Sequence, residues 1–396
     1  MSRSRPRLRW LSVAIVLWLL AGCAGGTRDL DIESSAVFPL PADLEDEVNF
    51  WRNVYAHWSR GQVAFHDDRY LGLVYEVADL PGPIEASYTP AQRDWVQART
   101  EHWRSRLDAL ADRLGEGRGL SAEERDLLAK IEAAAGRSAV FGAGERVRSQ
   151  RGVRERFRRG LEVSGRYDGK FREVFRRHGL PEDLAYLPHV ESSFQLNARS
   201  SAGASGMWQF MRSTGRQYMT VNGAIDERLD PVVAADAAAR YLKGAQERLH
   251  AWPLALTSYN HGVGGMLKAK ARYGNDIGRI VHNYDGRYFG FASRNFYAEF
   301  LAARHVASHA THYFPEGLHY EPSLDHDVVV LRSDVPAMQL ARYYKVPLPT
   351  LVELNLAWLP AVQSGVRPVP AGSTVWLPAG ATRRVSGAPL SSYTGL

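Results

Sequence analysis

Residues 180–194 read LPEDLAYLPHVESSF, and this stretch decides the fold. Pro181 and the two acidic residues after it suit the first turn of a helix. Apolar residues then recur at helical spacing and predict a buried face that Phe194 extends. Pro188 should break one backbone hydrogen bond and kink this helix. Glu191 follows beside the apolar face, where desolvation would raise its pKa and keep the carboxyl group protonated near neutral pH.

Two later segments carry further polar groups on a mostly apolar background. A glycine- and serine-rich turn, SSAGASGMWQFM, contains Trp208 and Gln209. A stretch of helical character, LALTSYNHGVGG, contains Tyr259 and Asn260, which we expect to lie near the turn in space. Each segment alone is a weak signal, because an isolated glutamate such as Glu191 is more often solvated.

Taken together, the segments resemble the lytic transglycosylases of glycoside hydrolase family 23, whose fold is that of goose-type lysozyme. The family pattern is Glu-Ser, then a Gly-x-x-Gln turn, then Ala-Tyr-Asn-Ala-Gly. The matching segments here are Glu191-Ser192, Gly206-Met207-Trp208-Gln209 and Ser258-Tyr259-Asn260-His261-Gly262. The resemblance is strong over residues 170–310. It implies a mainly α chain, with a lysozyme-like helical catalytic domain, a helical upstream region and a small α+β C-terminal module.

The resemblance also implies the chemistry. Glu191 would act as a single acid and then base, cleaving the β-1,4 bond between N-acetylmuramic acid and N-acetylglucosamine in peptidoglycan and leaving 1,6-anhydro ends. Trp208 replaces the family's methionine and would either stack on sugar or fill the cleft floor. Tyr297 is the candidate for a tyrosine that faces the acid, the alternative being a core tyrosine. No metal or organic cofactor is implied. The implied substrate-binding residues are Ser192, Gln209, Trp208, Tyr259, Asn260 and Tyr297.

Two other function classes remain open from the sequence. A goose-type muramidase would use the same acid with water as the nucleophile. A non-catalytic peptidoglycan-binding lipoprotein would keep the fold without turnover, and the intact Glu191 argues against it. Asp226, Glu227 and Asp230 are further acids downstream, but none lies in a motif that matches a second catalytic group.

Composition excludes several other classes of protein. A single cysteine excludes a cysteine-based zinc site, and no glycine-rich phosphate-binding loop stands between a strand and a helix. The formal net charge of +6 fits an anionic partner, such as the carboxylate-bearing peptides of a cell wall. Nucleic acid is the less favoured partner, because arginines on solvated helix faces explain the charge equally well.

The first 23 residues have the pattern of a targeting segment. Four arginines precede a short apolar core that is too short to span a membrane comfortably. The core ends in Leu-Ala-Gly-Cys23, which resembles the bacterial lipobox and implies lipidation of Cys23; the alternative is an uncleaved anchor. Ala24 favours the outer membrane by analogy with lipoprotein sorting. The predicted location is therefore the periplasm, with a lipid anchor in the outer membrane and a polar tether over residues 24–44.

Local patterns divide the rest of the chain. The region over residues 45–164 should contain a hairpin and two helices that begin at Thr89-Pro90 and Ser121, and its basic run over 145–159 predicts a solvated helix. The catalytic domain is predicted over residues 165–312. A strand–helix–helix–strand order over residues 325–380 resembles a degenerate LysM module, which would bind glycan or act as a structural cap. Residues 381–396 are predicted to be a disordered tail.

Overall fold

The structure is a computed structural model that describes residues 29–385 and the backbone of residues 391–393. The predicted signal segment and Cys23 lie outside the described residues. Those residues contain fifteen α-helices and six short strands, so the prediction of a mainly helical chain is confirmed. From residue 32 onward they belong to one unit. No helix in this described part is long and apolar enough to cross a membrane.

The segment before the first helix belongs to the folded core. Phe38 is buried and packs against the rings of Trp252 and Phe300, with centroids 5.9 and 5.1 Å away. The tether predicted over residues 24–44 is therefore wrong from residue 32, because the polar composition conceals one large apolar anchor. Helix α1 (Glu45–Arg52) follows and runs directly into a π-helical turn.

A small antiparallel sheet organises the upstream region. Strands β1 (Gln62–Asp67) and β2 (Val74–Asp79) form the predicted hairpin. Strand β3 (Val147–Arg151) pairs with the other edge of β1, so the helix predicted across the basic run is wrong for its first half. Pairing with a distant strand decides this segment, not its charge. Gly152 ends it where a Cβ would lie 2.2 Å from the carbonyl oxygen of Trp58.

Two capping boxes set the long upstream helices, as predicted. The Thr89 side chain accepts a hydrogen bond from the backbone of Gln92, whose side chain accepts one from the Thr89 backbone in return. Ser121 and Glu124 repeat the arrangement. Each box satisfies two backbone donors that a helix start otherwise leaves free. The two helices are α2 (Pro90–Gly115) and α3 (Ala122–Ala135).

Helix α4 (Arg154–Arg177) leads into the predicted catalytic domain without a break. The boundary predicted between residues 164 and 165 falls inside this helix, so the upstream region and the domain are joined by a continuous element. A 3₁₀ turn and then α5 (Leu187–Glu191) follow. Pro188 lies in the first turn of α5, where its missing N–H costs nothing. The predicted kink is thus a change from 3₁₀ to α geometry.

Helix α11, the last long helix of the domain, packs on α1, on α5 and on the helix that carries Tyr259. An alanine-rich helix, α7, packs against α4 through small side chains. The remaining helices of the domain are, in chain order, α6 (Arg212–Gly215), α7 (Pro231–Leu249), α8 (Trp252–His261), α9 (Val263–Tyr273), α10 (Ile277–Asn283), α11 (Phe291–Ser308) and α12 (Ala310–Tyr313).

The C-terminal module has the predicted order of elements, with one extra short helix. Its sheet is antiparallel in the order β5-β4-β6. Residues 391–393 pair with β4, so disorder of the whole tail over 381–396 is not correct. The elements are β4 (His326–Leu331), α13 (Ala337–Tyr344), α14 (Leu348–Leu354), α15 (Pro360–Gln363), β5 (Thr374–Pro378) and β6 (Ser391–Tyr393).

The module is joined to the predicted catalytic domain by hydrogen bonds. Trp376 on β5 is buried and donates from its indole nitrogen to the carboxylate of Asp230, at 2.5 Å. Asp230 also accepts hydrogen bonds from the backbone N–H groups of Val232 and Val233 in the first turn of α7, and so caps that helix. A backbone bridge between Ile225 and Trp358 also joins the two parts.

Candidate active site

The chain turns sharply after Glu191. Ser193 and Phe194 both adopt the left-handed region, with φ of 52° and 57°. Such values are uncommon for residues other than glycine and cost about 1–3 kcal/mol each, and they concentrate at functional sites. Burial of the Phe194 ring and a hydrogen bond from its N–H to the carbonyl of Pro188 at 3.2 Å help to hold the turn. Glu191, the last residue of α5, is left partly exposed.

Ser192 fastens this turn to the glycine-rich loop. Its hydroxyl donates to the carbonyl oxygen of Met207 at 2.8 Å. The side chain is almost wholly buried, with 1% of its surface exposed. The predicted direct contact of Ser192 with substrate is therefore not supported. Its role here is to hold Glu191 in register with the loop that carries Gln209.

Gln209 lies in a second left-handed position, with φ of 50°. Its side-chain amide nitrogen donates to the carbonyl oxygens of Gly206 at 2.7 Å and Ala198 at 3.3 Å, closing the loop. Its amide oxygen accepts no hydrogen bond from the described residues. The side chain is half-buried, so this oxygen is the group that Gln209 has available for a ligand.

Trp208 is part of the core. None of its surface is exposed, its ring packs edge-on against Phe171 with centroids 5.0 Å apart, and it also contacts Phe175. Its indole nitrogen donates to the carbonyl of Pro231 at 3.0 Å. The predicted sugar-stacking face is wrong, because two phenylalanines of α4 enclose the ring. The alternative prediction, a residue that fills the floor, agrees with this packing.

Tyr259 and Asn260 end helix α8 beside the loop, as expected. The Tyr259 hydroxyl donates to the carbonyl of Trp208 at 2.9 Å. Burial raises the pKa of Tyr259 well above its usual range, and the nearby Glu191 carboxylate raises this pKa further. Asn260 is exposed, and its side-chain oxygen accepts from the Ser293 hydroxyl at 2.7 Å. The distant sequence segments therefore meet around Glu191.

Tyr297 does not face the acid. Its ring is fully buried, and its hydroxyl donates to the carbonyl of Pro39 at 2.7 Å, so it is a core tyrosine with a satisfied hydroxyl. The prediction of a substrate contact for Tyr297 is wrong. Two residues later on α11, Glu299 acts electrostatically on Glu191.

Glu299 lines a cavity of about 170 Å³ beside the acid. The wall includes Val190, directly before Glu191, Ser193, two residues after it, and Tyr55 from the π-helical turn. Burial raises the pKa of Tyr55, and the nearby Glu299 and Glu191 carboxylates raise it further. π-Helical turns are frequent at functional sites. The upstream region, in which the sequence indicated no chemistry, thus supplies one wall of the site.

The two carboxyl groups share an environment that favours their neutral forms. Burial raises the pKa of Glu191 to about 8, and the Glu299 carboxylate adds to this rise. Burial also raises the pKa of Glu299 to about 8. Neither side chain has a hydrogen-bond partner within residues 29–385. The predicted desolvation of Glu191 is present, and at neutral pH the group holds a proton that it can transfer.

The acids downstream of the glycine-rich loop have structural partners instead. Asp226 forms a buried ion pair with Arg228 at 2.8 Å. Glu227 accepts a hydrogen bond from the backbone of Thr220 at 2.6 Å, and Asp230 caps α7. Within the described part of the chain, no group of three or more histidine, cysteine or acidic side chains is placed to hold a metal ion.

Comparison with known proteins identifies the segment that contains these residues. Residues 172–280 match the family of the transglycosylase SLT domain. The chain contains a transglycosylase SLT domain. The match begins within α4 and ends within α10, so Glu191 and Tyr259 lie inside the SLT domain. Tyr55 and Glu299 lie outside it, although both approach the acid.

Relatives of the SLT domain align over short segments. Membrane-bound lytic murein transglycosylase D of Escherichia coli (strain K12) is 35% identical over 96 residues, which are 24% of this chain and 21% of that protein. Membrane-bound lytic murein transglycosylase F 2 of Alkalilimnicola ehrlichii is 36% identical over 122 residues, 29% of this chain and 26% of that protein. The chain thus spans about a fifth to a quarter of the length of these curated relatives.

Two solved structures align with parts of the chain. The 70 kDa soluble lytic transglycosylase SLT70 of Escherichia coli is 17% identical, covers 59% of this chain and 37% of its own, and gives a TM-score of 0.31. An inactive mutant of the lytic transglycosylase Slt from Pseudomonas aeruginosa is 18% identical. The alignment covers 39% of this chain and 25% of that chain, with a TM-score of 0.30. At these scores the two structures add nothing to the assignment made from the sequence match.

Proposed function

We propose that the protein is a peptidoglycan lytic transglycosylase with Glu191 as its catalytic acid and base. The observation that carries this proposal is the desolvated carboxyl group of Glu191, which lies within the SLT domain between the strained turn and the glycine-rich loop. Burial raises its pKa to about 8, so the proton needed to start bond cleavage is present at neutral pH.

The reaction needs only one titratable group and the substrate's own atoms. Glu191 donates its proton to the glycosidic oxygen, and the bond from that oxygen to the anomeric carbon of the N-acetylmuramic residue breaks. The neighbouring N-acetyl group stabilises the resulting cation. The Glu191 carboxylate then takes the proton of the 6-hydroxyl of the same sugar. The 6-oxygen of the sugar bonds to the anomeric carbon as this proton leaves. The product is a 1,6-anhydro end, and Glu191 is protonated again.

The residues around the acid have supporting roles in this proposal. The free amide oxygen of Gln209 and the exposed side chain of Asn260 are the polar groups offered to the glycan. Tyr259 and Ser192 both donate to carbonyls of the glycine-rich loop, at 2.9 and 2.8 Å, and so position it. No cofactor is required.

A goose-type muramidase is the second candidate, because Glu299 supplies a second carboxyl group near Glu191. An inverting hydrolase needs one acid and one ionised base that activates water. Burial raises the pKa of Glu299 to about 8, so Glu299 is largely protonated at neutral pH and unsuited to that role. This favours internal attack by the 6-hydroxyl.

Mass spectrometry of digested peptidoglycan separates these proposals. We expect muropeptides with anhydro ends, each lighter by one water than the hydrolysis product. Reducing ends without anhydro ends would identify a hydrolase. Binding of peptidoglycan with neither product would identify a non-catalytic wall-binding protein, and either of these results would refute the transglycosylase.

Glu299→Gln should change the pH dependence of the reaction. The acid form of Glu191 is present below its pKa and is lost as the pH rises through it. At high pH an ionised Glu299 raises the pKa of Glu191, so removing that charge lowers this pKa. We therefore expect the alkaline limb of the rate profile to move to lower pH. Near pH 6 the variant should keep at least about a tenth of the parent's rate.

Rate profiles of the parent and of Glu299→Gln measure this effect. Glu247→Gln, an exposed change of the same kind on α7, serves as the control and should leave the limb in place. An unmoved limb in Glu299→Gln would show that the two carboxyl groups are not coupled. Complete loss of activity would instead make Glu299 a second catalytic group.

We also propose that a lipid on Cys23 anchors the protein in the outer membrane, facing the periplasm. The support is the targeting pattern of residues 1–23 and the position of the chain's single cysteine at its end. Each buried methylene of a lipid chain contributes about 0.8 kcal/mol to membrane affinity. Cys23→Ala should therefore lose membrane association in cell fractionation; retention of a processed form in the outer membrane would contradict the proposal.

A further inference from the structure

A groove of about 750 Å³ runs away from the candidate site along the upstream region. Its walls come from the sheet region, from helix α4 and from the turn that follows Glu191. It shares Val153, Arg156 and Ser193 with the small cavity that contains Glu299. The groove therefore adjoins the site and shares part of its wall.

Positive charge dominates this groove. Two glutamates, Glu155 and Glu321, lie in it, and five arginines line it: Arg60, Arg151, Arg156, Arg159 and Arg166. Arg159 and Arg166 both pair with Glu321, and Arg60 lies 3.9 Å from Glu155. The other two arginines have no carboxylate within ion-pair distance in the described part of the chain.

The backbone holds both of these arginines in place. Arg151 donates to the carbonyl oxygens of Arg60, Ala86 and Glu85, at 2.6, 3.1 and 2.7 Å, and lies over the ring of Tyr88. Arg156 donates to the carbonyl of Ser192 at 3.1 Å, directly after the acid. Arg151 is half-buried and Arg156 is exposed. Neither guanidinium has a counter-ion among the described residues, so the free protein leaves positive charge there for a ligand to neutralise.

We propose that this groove binds the peptide stems of the glycan strand whose bond lies at Glu191. The inference rests on the proposed function, since it takes peptidoglycan as the substrate. The N-acetylmuramic residue at the cleaved bond carries its stem peptide as a substituent, so that peptide must leave the site along a neighbouring surface. The stem carries several carboxylates, which suit the positive charge of Arg151 and the donors that Arg156 has left beyond its bond to Ser192.

The two glutamates narrow the class of ligand. A stem peptide carries an amine as well as carboxylates, so the mixed charges of the groove match it in both signs. Arg159 and Arg166 already neutralise Glu321. Glu155, 3.9 Å from Arg60, is therefore the carboxylate that the amine can approach and that a polyanion such as nucleic acid would meet unfavourably. The groove thus selects stem-bearing glycan over strands from which the peptides have been removed.

The test compares binding of two substrates to a chain that does not cut them. The Glu191→Gln protein is titrated with soluble glycan strands that keep their stems and with the same strands after an amidase has removed the stems. We expect the stem-bearing strands to bind about ten-fold more tightly, the size of one charged hydrogen bond. Raising the ionic strength from about 0.01 to about 1 M should remove most of this preference.

Arg151→Gln and Arg156→Gln, each in the same background, should reduce the preference to about two-fold or less. Arg118→Gln removes the same charge from an exposed position outside the groove. This control variant should keep the preference for stem-bearing strands. Equal affinity of the parent for both strands would overturn the proposal, as would a preference that neither groove variant changes. If one groove variant fails to fold by circular dichroism, the other variant and the salt dependence still decide.

Failure of the stem-binding proposal is distinguishable from failure of the proposed transglycosylase function. Binding is measured without turnover, so a preference for stem-bearing strands stands even if digestion with the unaltered protein yields no anhydro ends. Anhydro ends from the unaltered protein, combined with equal affinity for both strands, would overturn the groove and leave the transglycosylase intact.

Discussion

Glu191→Gln is expected to lower turnover of peptidoglycan by about 10⁴-fold or more. The substitution keeps the size and hydrogen-bonding reach of the side chain but removes the proton that it transfers. General acid–base catalysis typically contributes about 10²–10⁴-fold, and here one residue serves both halves of the reaction. The measurement is the rate at which anhydro muropeptides appear from purified sacculi.

Glu227→Gln is the matched control for this loss. Glu227 is also buried, lies close to the same loop in sequence, and accepts a hydrogen bond from the backbone of Thr220. We expect its variant to stay within a few-fold of the parent in rate. Binding of glycan should survive in Glu191→Gln, because Gln209 and Asn260 are unchanged. If Glu191→Gln keeps more than about a tenth of the rate, the assignment fails and Glu299 becomes the carboxyl group to test.

Gly206→Ala should destabilise the protein severely, by at least about 3 kcal/mol. Gly206 has φ of 79°, and a Cβ there would lie 1.8 Å from the carbonyl oxygen of Arg228. Arg228 cannot easily move away, because its guanidinium pairs with Asp226 and donates to the carbonyl of Phe210. Thermal unfolding measures the effect, at about 1–2 °C per kcal/mol for a chain of 396 residues.

Gly203→Ala isolates the cause of that loss. Gly203 also has a left-handed φ, of 92°, but a Cβ there meets nothing within 4 Å. Its variant should show only the cost of the backbone conformation, about 1 kcal/mol. Equal losses of stability in Gly206→Ala and Gly203→Ala would show that close approach to Arg228 is not the reason for a glycine at position 206. The difference between them measures how tightly the loop that carries Gln209 is seated.

Local signals predicted the helix starts well. The capping boxes at Thr89 and Ser121 are complete within four residues of sequence, so no distant partner can change them. The apolar surroundings of Glu191 were also predictable, because the buried Leu184 and Leu187 precede it at helical spacing. In contrast, strand β3 depends on pairing with β1, which the basic run over 145–159 does not reveal.

The errors within the site have a common cause. Residue type suggested an aromatic sugar platform at Trp208, but its exposure is decided by Phe171 and Phe175 on another helix. Tyr297 and Glu299 lie two positions apart on α11, and such residues point to roughly opposite sides of a helix. Choosing Tyr297 therefore selected the core side, and the carboxyl group on the other side was missed.

Tyr55 shows a different limit of sequence reasoning. It lies far from the SLT domain in sequence, in a stretch without a motif, and reaches the acid only because α1 packs on α11. A π-helical turn is not recognisable from residue types, so nothing in the local sequence singled out this tyrosine. Regions outside a matched domain can thus complete its site.

The hydrogen bond between Trp376 and Asp230 makes the C-terminal module hard to exchange. The capping carboxylate of α7 is shared between that helix and the module's indole, and the next residue, Pro231, holds the ring of Trp208 through its carbonyl. A shuffled gene that swapped this module for another would leave the carboxylate without its partner. We therefore expect recombination to preserve stability only where the replacement module brings its own donor to Asp230.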